Sequence, residues 1–386
     1  MIYMTKLYIL TNFTNFGNPK DIDMKKLALF ASLLLVCICA GAQTPKGVKY
    51  SYTEASDLTL IGKIQEDTPN PYHRVDTVRY KGFTNVENGQ VRMSSGIAVV
   101  FKTNSTSIRI KTEYGTPGFP TNTNGFSARG YDLYIRQDGE WVYAESGLPN
   151  DKNSEKPFTL IKHMDNSMKE CLLYLPLYSE VNSVKIGIEE GAVLEAMENP
   201  FRHRIGVFGS SYTHGSSTSR AGMSYVAQLS RNTGLQMLSL GCSGNSKLQQ
   251  YFANVLCDAE VDAFLFDAFS NPSCEEMRER FFPFLERIVA AHPGKPIIFQ
   301  RTIYREGRNF NLQERKEQEE RIAVADSLMK IAVKNYPDVY YIHPVGNSED
   351  HNATVDGTHP DNYGYTLWAK SIEKKVVKIL KKYGIR

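Results

Sequence analysis

The sequence predicts an α/β chain, with a doubly wound parallel sheet in the second half and a β-sandwich in the first. Three observations carry this. From residue 204 onward, apolar runs of strand length alternate five times with helical stretches. Those runs are apolar throughout, as expected of parallel strands covered on both faces. From about residue 47 to 200 the pattern is different: short alternating runs broken by turn residues, the spacing of a sandwich.

The chain opens on a segment that fits neither half. Met24-Lys25-Lys26 precedes the thirteen-residue apolar run Leu27 to Cys39, which ends at Ala40-Gly41-Ala42. A basic start, a short apolar centre and an A-x-A site read as a secretory signal, residues 24–42, cut after Ala42. The run falls short of the roughly 20 apolar residues of a membrane span, so no stable membrane insertion is expected. On this reading translation starts at Met24 and residues 1–23 are an extension outside the working protein.

The β-sandwich is expected over 47–200. Its clearest runs are "SGIAVVFKT", "SIRIKTEYG", "GYDLYIRQDGEWVYAES", "CLLYLPLY" and "SVKIGIEEGAVLEA". Asp138-Gly139 between two aromatic-rich runs is a hairpin signal. The parallel sheet is expected over 203–384. Its strands are "RIGVF", "LQMLSL", "DAFLFDAF", "KPIIFQ" and "DVYYIH", each followed by a helical stretch.

The bulk composition is ordinary. The 386 residues are 41% hydrophobic and 23% charged with a net charge of +3, enough to bury a sizeable core. No basic block stands out, which excludes a general nucleic-acid binder. Outside the leader there are four cysteines, Cys171, Cys242, Cys257 and Cys274. Four in a chain of this length make no disulfide scaffold. Cys242 and Cys274 could pair, since both fall in loops suspected of chemistry; four small buried thiols are the alternative.

In a doubly wound sheet, ligands sit beyond the carboxyl ends of the strands, so the loops there are the ones to read. After the first strand comes "GSSYTHG", residues 209–215. A serine at a sharp strand-to-helix turn exposes its hydroxyl beside free backbone N–H groups. Ser211 is the candidate nucleophile, Ser210 its rival, and a plain turn the alternative. The Gly-Lys-Ser/Thr ending of a P-loop is missing. Gly244 in "CSGNS" allows close backbone approach and offers an N–H. Asn271 in "FSNP" can point an amide at a developing oxyanion. In "VDGTHP", Asp356 and His359 stand three apart before the last helix, a carboxylate that can orient an imidazole acting as general base. After the fourth strand, "QRTIYREGRNF" brings Arg301, Tyr304, Arg305 and Arg308 toward the same edge, where they could bind a sugar or a carboxylate. Tyr212 and His214 are further candidates for the pocket wall.

Ser, Gly, Asn and then Asp/His on successive strand ends resemble the blocks of the SGNH/GDSL serine hydrolases, a flavodoxin-like esterase superfamily. Ser211 matches the nucleophile block, Gly244 and Asn271 the oxyanion-hole blocks, and Asp356 with His359 the final Asp-x-x-His block. The resemblance covers about 203–384. The first half bears Gly130-Tyr131-Asp132-Leu133-Tyr134, similar to the Gly-x-Asp-Leu-Tyr motif of an N-terminal β-domain found in one branch of that superfamily. One position departs: the usual Gly-Asp-Ser is Gly209-Ser210-Ser211.

The resemblance implies a carboxylic ester hydrolase with Ser211, His359 and Asp356 as triad. Its oxyanion hole would be the N–H groups of Ser211 and Gly244 with the Asn271 amide, and it would need no metal or organic cofactor. An exported enzyme with a β-sandwich appendage suggests an O-acyl, above all O-acetyl, group on a glycan or small molecule as substrate. Asp132 and Tyr134 then read as domain-interface residues. A carbohydrate-binding protein on an inactive hydrolase scaffold is the alternative. A metal-dependent hydrolase using His343, Asp350, His351, Asp356 and His359 fits no zinc spacing.

Overall fold

The structure, a computed structural model, describes residues 47–149 and 156–386. The expected signal segment 24–42 and the extension 1–23 lie outside the described residues.

The first half builds two antiparallel sheets. β1 (Tyr50–Glu54), β4 (Ile108–Tyr114), β7 (Phe158–Ile161) and β9 (Val181–Glu189) form one, in the order β1-β9-β4-β7. The other runs β10-β3-β8-β5-β6, from β3 (Ala98–Thr103), β5 (Tyr131–Gln137), β6 (Glu140–Gly147), β8 (Lys169–Tyr174) and β10 (Leu194–Ala196). β2 (Thr59–Ile61) pairs with the start of β3, on the strand that β10 joins further along.

Alternation decides what each face meets. Val99, Phe101, Leu133 and Leu173 point at Ile108, Ile110, Val184 and Ile186 of the facing sheet and close the sandwich core. Ala98, Val100, Leu172 and Tyr174 point the other way and pack with Ala221 and Ala227 of the second half. The centre of the second sheet, around β3 and β8, is therefore buried on both faces, which is why "IAVVF" reads apolar throughout.

The second half is the parallel sheet. β11 (Arg202–Gly209), β12 (Leu235–Gly241), β13 (Ala263–Asp267), β14 (Ile297–Gln300) and β15 (Val339–Ile342) lie in the order β12-β11-β13-β14-β15, all parallel. This is the flavodoxin-like order, whose switch point falls beside the first strand.

Eight α-helices accompany the strands in the described residues: α1 (Asn85–Arg92), α2 (Gly125–Ala128), α3 (Ser211–His214), α4 (Tyr225–Thr233), α5 (Gln250–Cys257), α6 (Cys274–Ala291), α7 (Leu312–Asn335) and α8 (Asn362–Lys381). One face of the sheet packs Phe208, Phe264, Phe266 and Phe299 against α5, α6 and α7. The other packs Val207, Leu265 and Ile298 against α4 and α8, around the fully buried Trp368. At about 25 cal/mol per Å² of apolar area, each such aromatic contributes a few kcal/mol of burial.

The segment 62–97 belongs to the first half in sequence, and Tyr72 and Ile97 pack in the sandwich core, yet much of it packs on the second half. Ile64, Val75, Tyr80 and Val91 join the core of the α5 face. The Arg74 guanidinium, fully buried, donates to the carbonyls of Gly241 (2.9 Å), Ser239 (3.4 Å), Met93 (2.9 Å) and Gln90. Arg74 meets no carboxylate there; burial pulls its pKa down, and the carbonyl dipoles solvate the cation. Helix α1 on this segment was not foreseen. Its sequence signal is Thr84-x-x-Glu87, a capping box in which Thr84 accepts from the Glu87 N–H and Glu87 accepts from the Thr84 N–H.

Candidate active site

Strand β11 ends at Gly209, and the chain turns at once into α3. Ser210 caps that helix: it is fully buried, its Oγ accepts from Tyr212 N (3.2 Å) and donates to Asp267 Oδ2 (2.5 Å). A Cβ on Gly209 would lie 2.2 Å from Thr213 Oγ1, so only glycine lets the turn be this tight. Ser211 follows at the helix start and lines a cavity of about 420 Å³. The two serines are thus distinguished: the Ser210 hydroxyl is committed to a carboxylate, whereas Ser211 faces open space.

The partner of Ser211 comes from the loop before α8. Ser211 Oγ stands 2.9 Å from His359 Nε2, and His359 Nδ1 stands 2.8 Å from Asp356 Oδ2. An imidazole protonated on Nδ1 donates to Asp356 and accepts from Ser211, the tautomer a general base needs. Asp356 Oδ1 also accepts from the N–H groups of Thr358 (3.0 Å) and His359 (2.7 Å). Partial burial pushes the Asp356 carboxyl up, but these donors, with Asn122 and the His359 ring, outweigh it and hold the pKa down at about 2.

Three donors border the same cavity with no acceptor among the described residues: the N–H of Ser211, the N–H of Gly244 and Nδ2 of Asn271. Ser211 N–H is free because it opens a helix. Gly244 adopts φ +73°, a left-handed conformation that glycine takes without strain. The Asn271 amide is oriented by Ser246, whose Oγ donates to Asn271 Oδ1 at 3.0 Å. Together they can bind an oxyanion.

Several residues of the site were not expected, among them Asn122 and Arg321. Asn122, from the loop before α2, puts Nδ2 3.1 Å from Asp356 Oδ2. With Pro120 and Tyr178 it carries the first half of the chain into the cavity wall. Arg321 of α7 also lines the cavity, eleven residues beyond the arginine-bearing stretch 300–310. Neither carries a local motif, so the sequence held no signal for them.

Five of the six expected wall residues do not line the cavity. His214 is fully buried, its ring stacked on Tyr178 with centroids 4.1 Å apart and Nε2 donating to Leu177 O at 2.8 Å. Burial holds its pKa well below the ordinary value, so it is a neutral strut. Tyr212 is 1% exposed and donates its OH to Thr358 O (3.0 Å), bracing the loop that carries His359. Arg301 pairs with Asp326 at 2.9 Å, and Tyr304 binds Asn309. Arg308 pairs with Glu319 at 2.8 Å, and Arg305 alone of the six reaches the cavity. Cys242 and Cys274 are free thiols, so the pairing considered for them is not made; Cys242 is buried in the α5-face core. Asp132 and Tyr134 hold the two halves together: both accept from Arg220 Nη1, at 2.8–2.9 Å and 2.6 Å. The residues considered for a metal do not gather; among the described residues no three His, Cys, Asp or Glu side chains could hold an ion, and His351 pairs with Glu306 at 2.7 Å.

Two family models match the chain. Residues 49–194 fit the GxDLY N-terminus of SGNH-hydrolase-type esterases, and residues 202–377 fit the GDSL-like lipase/acylhydrolase family. A crystal structure of a protein from Bacteroides ovatus, designated a GDSL-like lipase, is 37% identical with TM-score 0.82 over 86% of this chain and 98% of that one. The chain belongs to the GDSL-like lipase/acylhydrolase family. It is a serine hydrolase acting on ester bonds, as its resemblance implied. More distantly similar structures share the fold. The salicylyl-acyltransferase SsfX3 of a tetracycline biosynthetic pathway has 20% identity and TM-score 0.67 over 87% of this chain and 99% of that one. A family two carbohydrate esterase from Cellvibrio japonicus has 13% identity and TM-score 0.55 over 86% and 98%. No curated protein matches the chain.

Proposed function

We propose that this hydrolase cleaves an acyl ester, above all an O-acetyl group on a carbohydrate, through Ser211, His359 and Asp356. The observation that carries the reading is the unbroken relay from Ser211 Oγ to His359 (2.9 Å) to Asp356 (2.8 Å) at the rim of a cavity. His359 takes the Ser211 proton as Oγ attacks the ester carbonyl. The tetrahedral oxyanion is met by the N–H groups of Ser211 and Gly244 and by Asn271 Nδ2. His359 then protonates the leaving alcohol, and a water activated by the same imidazole releases the acid. One oxyanion donor is worth roughly 3 kcal/mol, a hundredfold or more in rate.

The wall supports a polar substrate. Asn122, Ser216, Ser243, Asn271, Arg305 and Thr358 supply hydroxyl, amide and guanidinium groups, whereas a lipid chain would need an apolar channel. The fold shared with a carbohydrate esterase is consistent with this choice. Export through the 24–42 segment and the division at about residue 200 complete the proposal; amino-terminal sequencing of secreted protein, expected to begin at Gln43, tests the former.

The decisive experiment is Ser211→Ala, assayed with 4-nitrophenyl acetate and with acetylated oligosaccharides by acetate release. Turnover should vanish while thermal unfolding stays that of the parent. Full activity in that variant refutes the assignment.

A further inference from the structure

We propose that Arg305 and Arg321 form an anion subsite in the cavity, and that the ester hydrolysed there bears a carboxylate. This rests on the placement of the reaction at Ser211 and extends it to the class of substrate.

Four arginines on the β14–α7 side invite comparison. Arg301 is neutralised by Asp326 at 2.9 Å and Arg308 by Glu319 at 2.8 Å. Arg305 and Arg321 have no carboxylate at ion-pairing distance among the described residues, and these are the two that line the cavity. Both are anchored on a single acceptor, the carbonyl of Ser270, which takes Arg305 Nη2 at 2.7 Å and Arg321 Nη1 at 3.3 Å. Arg305 Nε is spent on Tyr212 OH at 2.8 Å. Among the described residues, Arg305 Nη1 and Arg321 Nε and Nη2 are left without an acceptor.

Two guanidinium groups held side by side and half-buried repel one another. Burial, then the neighbouring Arg305, pulls the Arg321 pKa down. The carboxylates nearby are engaged elsewhere. Glu276 holds Arg280 at 3.0 Å, and Glu317 accepts from Gln313 at 2.8 Å. Asp267 lies fully buried behind Ser270, accepting from Ser210 and Ser270. The protein places two cations on the wall and leaves their neutralisation to whatever enters. Forked guanidinium donors suit a carboxylate best. Ser270 directly precedes Asn271, so the subsite adjoins the proposed oxyanion donor, and the carboxylate must lie a few bonds from the ester. It can belong to the acyl group, as in a dicarboxylic half-ester, or to the alcohol, as in an acylated uronic acid.

The test compares matched anionic and neutral substrates by kcat/KM. In one arm these are mono-(4-nitrophenyl) succinate and 4-nitrophenyl butyrate; in the other, O-acetylated glucuronic acid and its methyl ester. One arm should favour the anion by about tenfold or more, the worth of one charge-assisted hydrogen bond. In Arg321→Gln that ratio should fall toward one; because the readout is a ratio, a general loss of activity cancels. A second measurement does not need turnover: calorimetric titration of Ser211→Ala with succinate and with glucuronate should show binding that the added Arg321→Gln removes. Ratios at or below one in the parent, together with no carboxylate binding, overturn the subsite while 4-nitrophenyl acetate turnover leaves the esterase reading standing. Carboxylate binding without any ester turnover does the reverse.

Discussion

Replacing Asn122 with alanine tests whether the first half of the chain takes part in the chemistry. Asn122 Nδ2 lies 3.1 Å from Asp356 Oδ2 and 3.2 Å from His359 Nδ1. In the tautomer that lets Nε2 accept from Ser211, Nδ1 carries a proton and cannot accept, so only the bond to Asp356 counts. A hydrogen bond to a charged group is worth roughly 1.5–3 kcal/mol when buried. The Asp356 side chain is 34% exposed and keeps three other donors, so solvent screening takes the value below that range, to about 1 kcal/mol. That predicts a kcat about fivefold lower for Asn122→Ala on 4-nitrophenyl acetate at neutral pH. Asp356→Asn should lose on the order of a thousandfold or more, because the amide favours the wrong tautomer. Asn122→Asp should be worse than the alanine variant, since it also sets a second carboxylate against Asp356 and raises the Asp356 pKa from about 2. A kcat for Asn122→Ala within twofold of the parent, or an Asn122→Asp variant as active as the alanine one, refutes the reasoning.

Gly241→Ala and Gly244→Ala should differ sharply in thermal stability. A Cβ on Gly241 would sit 2.1 Å from the backbone N of His214, whereas one on Gly244 meets nothing within 4 Å and adds only left-handed strain of about 1–2 kcal/mol; equal melting temperatures contradict this. Arg220→Ala removes the donors at 2.8–2.9 Å from the fully buried Asp132, and urea unfolding should register about 3–5 kcal/mol lost. Burial already pushes the Asp132 pKa up, so the folded variant binds a proton more tightly than the unfolded chain and its deficit should shrink as pH falls; a deficit that grows instead sinks this account. Asp267→Asn should keep activity within a few-fold while Asp267→Ala loses most of it, measured on 4-nitrophenyl acetate.

The fold was legible where burial repeats along the chain. All five parallel strands stand where continuous apolar runs placed them, because a strand covered on both faces must be apolar along its whole span. The relay from Ser211 to His359 and Asp356 was legible because the loops after parallel strands all open at one edge of the sheet. Contributions from the other half were not legible. Asn122, Pro120 and Tyr178 reach the cavity only because Ala98, Val100, Leu172 and Tyr174 dock one sheet onto the hydrolase half. No local pattern encodes that docking. His214 and Tyr212 were misplaced for a related reason. In a helix of one turn, positions one and three beyond Ser211 point back into the fold, toward Tyr178 and Trp368.

The missing aspartate of the Gly-Asp-Ser block is best understood from Asp267 at the end of β13. Its Oδ2 accepts from Ser210 N at 3.1 Å and Ser210 Oγ at 2.5 Å, and its Oδ1 accepts from Ser270 Oγ at 2.6 Å. The carboxyl thus joins the turn bearing Ser211 to the turn bearing Asn271. Burial pushes its pKa up, against the hydrogen bonds from Ser210 and Ser270. What this position requires is an acceptor shaped to hold two loops, more than a charge. An asparagine can meet that demand: its oxygen can face Ser210 while its amide donates to the Ser270 hydroxyl, which is able to accept. Alanine leaves the Ser210 N–H buried and unpaired, a loss of about 1–3 kcal/mol that falls on the turn positioning the nucleophile. A serine at 210 is therefore compatible with a working site, since the carboxyl that fixes the turn comes from the neighbouring strand.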